Sequence, residues 1–144
     1  MPTLSVIIST KNHASIVERA LKSVEFADEI VVIDLHSQDE TVEIAQKYTD
    51  KIYQHQDFGY IEPVRNFSLE KASGNWVLIL DADEEVSPGL KKAIQAVVTA
   101  ENQTELPDCF YLPRKNIIFD YWLQSSGWWP DLQLRFFRQG HVKW

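Results

Sequence analysis

Trp76-Val-Leu-Ile-Leu-Asp-Ala-Asp-Glu-Glu85 decides the fold. Its first five residues are apolar, which suits a strand buried on both faces of a parallel sheet. Asp81, Asp83, Glu84 and Glu85 then stop it abruptly. Ser87-Pro88 follows as an N-cap with proline at the first helical position, and Leu90, Ala93, Ile94, Val97 and Val98 continue at helical spacing. Upstream the same alternation repeats. Leu4–Ser9 reads as a strand, and residues 13–25 as an amphipathic helix through Ile16, Val17, Ala20, Leu21 and Val24. Ile30–Ile33 is a second apolar run ending at Asp34, followed by a capping-box pattern over Ser37–Glu40 and a helix through Val42, Ile44, Ala45 and Tyr48. Lys51–Gln54 reads as a third strand. Pro63, Val64, Phe67, Ser68 and Ala72 read as a third helix, with Gly74 as its C-terminal cap. Four strand–helix alternations predict an α/β fold whose parallel sheet is covered on both faces. Ligands of such sheets collect at the carboxyl ends of the strands, where the topology switches direction. Asp34 and Asp81 both stand at such ends.

Beyond residue 105 the pattern changes. Eight of the seventeen aromatic residues (Phe119, Tyr121, Trp122, Trp128, Trp129, Phe136, Phe137 and Trp144) fall after residue 118. Residues 110–112, 116–119 and 132–137 read as strands, with a Gly- and Pro-containing loop before the last. With 144 residues and no repeat or linker, the chain reads as one domain.

Composition limits the function classes. Fourteen basic against 21 acidic residues give a net charge of −7, which argues against a nucleic-acid binder with a basic face. The one cysteine, Cys109, cannot form an internal disulfide, which suits a reducing compartment. The start, MPTLSVIIST, lacks the pattern of a signal peptide, and no apolar run approaches the roughly 20 residues that span a bilayer. The expectation is a cytoplasmic acidic domain.

Asp81-Ala-Asp83 places two hard carboxylate ligands just past a buried strand, a pattern suited to Mg²⁺ or Mn²⁺ with room for substrate phosphates. A solvated acidic turn would look the same. Four acids at one strand end repel one another unless something cationic joins them. Asp34 suits a ribose or base contact, or equally a helix cap. Thr10-Lys11-Asn12 would turn backbone amides and a lysine toward an anion, or form a plain turn. Arg65-Asn66 alone reads as a surface pair.

Taken in order, Val6-Ile-Ile-Ser-Thr-Lys-Asn12, Ile30-Val-Val-Ile-Asp34, Arg65-Asn66 and Gly74-Asn-Trp-Val-Leu-Ile-Leu-Asp-Ala-Asp-Glu84 resemble family 2 glycosyltransferases of the three-layer α/β/α GT-A fold. Tyr121-Trp122 and Ser126-Gly-Trp-Trp-Pro-Asp-Leu-Gln-Leu-Arg-Phe-Phe-Arg138 are similar to the branch that adds sugars to lipopolysaccharide core or related bacterial surface glycans. The resemblance implies an inverting, metal-dependent transferase. Its donor would be a nucleotide-diphosphate sugar, a UDP-sugar foremost, and its acceptor a glycan or glycolipid.

It implies that Thr10, Lys11, Asn12, Asp34, Arg65 and Asp81 bind the donor. Asp83, with Asp81, would hold Mg²⁺ or Mn²⁺, and Asp131 would be the catalytic base. Asp131 could instead belong to a Pro-Asp turn. Arg135 and Arg138 would contact diphosphate or acceptor, or pair with surface acids, and the tryptophans around Gly127 would stack on sugar or pack in the core. Residues 1–105 would form the donor part and 106–144 the start of the acceptor part. Family members run further, so the resemblance implies a chain shortened at its C-terminus. Its alternative is a donor-binding or interaction module without transfer. The resemblance also implies peripheral membrane contact through the acceptor, and an exposed aromatic surface would favour self-association. After Asp34 the family has a small residue second, where this chain has Leu35-His36, so nucleotide contacts there are expected to differ.

Overall fold

A computed structural model describes residues Met1–Trp144. Strands β1 (Leu4–Thr10), β2 (Glu29–Asp34), β3 (Ile52–Gln54), β4 (Trp76–Asp81), β5 (Cys109–Arg114) and β8 (Asp131–Arg138) form one sheet in the order β3-β2-β1-β4-β8-β5. The first four run parallel; β8 is antiparallel to β4, and β5 to β8. The sheet is therefore mostly parallel, as expected.

Alternate residues of each strand feed two separate cores. Val6, Ile8, Val32, Leu78 and Leu80 pack with α1 (Val17–Ser23), α2 (Thr41–Ala45) and α4 (Pro88–Val98). Ile7, Val31, Ile33, Val77 and Ile79 pack with α3 (Glu62–Lys71) on the opposite face. This period-two alternation with apolar residues at both phases is why the strands read as unbroken apolar runs. The chain lays β1, β2 and β3 in one direction, then returns through α3 to place β4 on the other side of β1. The switch point lies between β1 and β4.

Several local expectations need correction. The first helix covers Val17–Ser23 and not 13–25: the chain makes tighter turns on both sides, with the Ile16 amide on His13 O (3.0 Å) and the Val24 amide on Leu21 O (3.2 Å), while the amides of His13 and Ala14 donate to Thr41 Oγ1 (2.8 Å) and Asp39 Oδ2 (3.0 Å). The capping box does not form. Ser37 Oγ instead accepts the Asn12 amide at 2.8 Å, and the Thr41 amide donates to Asp39 Oδ1. Gly74 is not a helix cap, since α3 ends at Lys71. A Cβ at Gly74 would stand 2.7 Å from both Ser5 N and Ser5 Oγ, so glycine is required there by the close approach of β1. The strand expected at 116–119 is a short hairpin, β6 (Ile117–Ile118) and β7 (Tyr121–Trp122), turned by Phe119 and Asp120 at φ 49° and 65°. Two positive φ values at the turn match the twist of a two-residue hairpin loop. No helix is long and apolar enough to cross a membrane.

Candidate active site

The carboxyl ends of β2, β1 and β4 bring three expected residues together. Thr10 is the register partner of Asp34, and Ser9, beside it, is the partner of Asp81. Thr10 and Asp34 are buried. Asp34 accepts the Ser37 amide on both oxygens at 3.2 and 3.1 Å; Ser37 lies in the loop before α2, whose N-cap is Glu40, so this acid braces a loop and caps no helix. Asn12, at φ 54°, accepts the Gln38 amide at 2.8 Å. The loops after β1 and β2 are thus laced to each other. The amides of Asn12, His13 and Ala14 are all committed to Ser37, Thr41 and Asp39, which removes them as a ready anion cradle. Lys11 pairs with Asp57 at 2.8 Å, both side chains being partly exposed.

At the end of β4 the acidic run has found its cations. Arg135 donates to Asp81 through Nη1 at 3.2 Å and Nη2 at 2.5 Å, and its side chain is 7% exposed. Glu84 lies between Arg135 (3.4 Å) and Arg114 (3.5 Å). Glu85 accepts Arg19 Nε at 2.8 Å. Asp83 alone of the four acids is exposed and without a cationic partner. A small cavity beside it is lined by Ile16, Arg19, Ala20, Ala82, Asp83, Glu84 and Glu85. Mutual repulsion, the argument for a metal at this run, is therefore answered largely by arginines, and the remaining demand falls on Asp83.

No group of three His, Cys, Asp or Glu side chains is gathered for a metal ion. One free carboxylate, with Asp81 adjacent, fits a hard divalent cation completed by phosphate oxygens and water. It does not fit an all-protein cage.

Arg65, on α3, has Arg135 and Asp81 as charged neighbours, and its guanidinium lies 5.1 Å from the Trp144 ring centre. Burial, reinforced by Arg135, pushes its pKa down, and its buried Nε has no hydrogen-bond partner. Arg65 therefore stands beside Asp81 and Arg135, half-buried, and is not a surface pair.

Asp131 opens β8 and accepts from Asn116 Nδ2 (3.0 Å), Gln133 Nε2 (2.7 Å) and Arg114 Nε (2.8 Å). These donors, in that order, hold its carboxyl down to about 2. It is an ionised acceptor at neutral pH, tightly held by hydrogen bonds.

Of the two readings open for Arg138, contact with the donor or acceptor and pairing with a surface acid, the structure shows the second. Arg138 pairs in register with Trp76, at the start of β4, about 17 Å along the strand from Asp81. There it lies 4.3 Å from the Trp76 ring centre and pairs with Asp108 at 3.0 Å. It is a packing residue. Trp128 and Trp129 are exposed and join neither core; Trp129 meets Trp122 edge to face at 5.1 Å. Sequence reasoning singled out neither Glu84 nor Arg114 individually, nor Asn116 and Gln133, although the acidic run signalled that cations were needed.

Strand-end carboxylates at a topological switch are the arrangement at which open α/β sheets bind their ligands. Within this class of sheet proteins, the model for Glycosyl transferase family 2 matches residues 5–139, and the chain belongs to this family. It is 38% identical over 101 residues to an uncharacterized glycosyltransferase of Rickettsia bellii, covering 69% of this chain and 34% of the relative. A GalNAc(5)-diNAcBac-PP-undecaprenol beta-1,3-glucosyltransferase of Campylobacter jejuni is 37% identical, covering 62% and 32%. Lipopolysaccharide core biosynthesis glycosyltransferase LpsC of Rhizobium meliloti is 26% identical, covering 69% and 38%. The chain spans about a third of the length of these relatives. Among solved structures, S. aureus TarS 1-349 in complex with UDP is 26% identical with a TM-score of 0.66, covering 86% of this chain and 38% of that one. Its complex with UDP-GlcNAc gives 0.65. The fold is GT-A.

Proposed function

We propose that this chain is the donor-binding and catalytic part of an inverting glycosyltransferase that uses a nucleotide-diphosphate sugar. The observation that carries the reading is Asp83, the one unpaired acid where Thr10, Asp34 and Asp81 converge at the switch point. TarS, crystallised with UDP and UDP-GlcNAc, makes a UDP-sugar the first donor to test.

In this reading Asp34 and Thr10 orient the base and ribose, with the Lys11–Asn12 loop as the pocket's edge. Arg65 and Arg135 lie where they would meet the diphosphate. Asp83, with Asp81, would hold Mg²⁺ or Mn²⁺, which supplies charge neutralisation for the departing diphosphate. Asp131 accepts the acceptor hydroxyl's proton as that oxygen attacks the anomeric carbon. The new C–O bond forms on the face opposite the breaking bond to phosphate, so the anomeric configuration inverts. A carboxyl held near 2 is a weak base, so Asp131 acts chiefly by orienting the hydroxyl and taking its proton late.

The acceptor we propose is a glycan or glycolipid of the bacterial surface, drawing on the Campylobacter and Rhizobium relatives. Residues 1–105 would serve the donor and 106–144 begin the acceptor side. Work at a lipid-borne acceptor would place the protein in the cytoplasm at the membrane's inner face.

The test is turnover with product analysis: a UDP-sugar, a glycolipid acceptor and a divalent cation. The reading expects UDP release together with a product of inverted anomeric configuration, lost in Asp131→Asn. Nucleotide binding without any transfer would instead mark a donor-binding module.

A further inference from the structure

Alternating charges connect the two ends of this site. Asp81 binds Arg135 through two contacts, at 3.2 and 2.5 Å. Arg135 Nη2 is also 3.4 Å from Glu84 Oε1. That same Glu84 oxygen lies 3.5 Å from Arg114 Nη1, and Arg114 Nε and Nη2 each reach Asp131 Oδ2 at 2.8 Å. Glu84 Oε2 accepts the backbone amide of Asp81 at 3.0 Å. The turn after β4 therefore fixes one oxygen and leaves the other between two guanidiniums. Glu84 and Arg135 side chains are 18% and 7% exposed, so solvent screens these charges poorly.

We propose that Glu84 is a positioning residue that couples the donor end of the site, at Asp81 and Arg135, to Asp131. The proposal rests on the donor and base assignments made above. Each guanidinium is one rigid fork of donors shared between two carboxylates, so a shift that shortens the contacts on one side lengthens those on the other. An anionic donor that draws on Arg135 leaves Glu84 to Arg114, and Arg114 is loosened from Asp131. The base is thereby freed when the donor is in place, which limits premature proton uptake. Coupling between two sites is reciprocal in binding free energy. Neutralising Asp131 must then shift Arg114 toward Glu84, free Arg135 and tighten the donor's diphosphate.

That sign makes the proposal testable, because simple damage to the site would weaken binding. Affinities for UDP, GDP, CDP and dTDP with Mg²⁺ are measured by calorimetry on wild type, Asp131→Asn, Glu84→Gln and the double variant. Circular dichroism and melting confirm the fold of each. Glu84→Gln keeps an oxygen for the Asp81 amide while removing the shared charge. The expected result is a nucleotide that Asp131→Asn binds about fivefold more tightly with Glu84 present, and with no such gain in the Glu84→Gln background. A gain below about twofold, or the same change in both backgrounds, overturns the coupling and leaves the donor site standing. Failure of every nucleotide to bind folded wild type overturns the donor reading, and this proposal with it.

Discussion

Arg135 Nη2 stands 2.5 Å from Asp81 Oδ2, joining the middle of the chain's last strand, β8, to the end of β4, 54 residues earlier. The contact places a nearly buried cation under the acidic run and leaves Asp83 as the acid still unpaired.

Arg135→Ala leaves Asp81 and Glu84 facing each other without their shared cation. Removing one partner of a largely buried ion network destabilises strongly, discounted here because Asp81 is 38% exposed. The expected loss is about 2 kcal/mol by chemical denaturation. Arg135→Lys keeps the charge but cannot make the paired contact, and should recover only part of it.

Asp83→Asn should behave oppositely. The side chain is exposed and outside every ion pair, so the melting temperature should stay within about 2 °C. Nucleotide binding should lose its dependence on Mn²⁺ or Mg²⁺. Unchanged metal dependence in calorimetry would remove Asp83 as the ligand.

Glu29 should contribute to acid sensitivity, alongside Asp131. Burial alone would raise the Glu29 carboxyl, but hydrogen bonds from Lys51, Ser5 and Ser73 outweigh it and hold the group near 2 instead of its ordinary 4.5. A depressed folded-state value gives stability that is full above the ordinary value and lost as pH falls toward the folded one. Stability should therefore decline between about pH 4.5 and 2. Glu29→Gln should be less stable at neutral pH and flatter across that window, as read by denaturation at several pH values.

Gly74→Ala forces a methyl against Ser5 N and Ser5 Oγ at 2.7 Å. It should cost about 2 kcal/mol through the strain of an overpacked contact, measured by thermal unfolding. A neutral result would show that β1 and the residue-74 turn can separate freely.

The apolar runs made β1, β2 and β4 legible, since each feeds both cores along most of its length. Asp34 and Asp81 were legible as strand-end acids for the same reason. Glu84 and Arg114 were not, because their meeting depends on β5 and β8 folding back beside β4, and nothing local to residue 84 announces residue 114. Gly74 was misread because a glycine after a helix looks the same whether it caps the helix or clears a neighbouring strand. Which of Arg135 and Arg138 pairs with a surface acid was not legible, because only the antiparallel register of β8 shows that three residues carry Arg138 away from the site.

The most direct test of the account is the melting temperature of the folded chain against UDP, GDP, CDP, dTDP and their sugars, with and without Mn²⁺. A nucleotide at about 100 times its dissociation constant should stabilise the protein by roughly 2.7 kcal/mol. The account predicts a metal-dependent rise with one nucleotide, abolished by Asp83→Asn. No rise with any nucleotide would contradict a donor site at the ends of β1, β2 and β4.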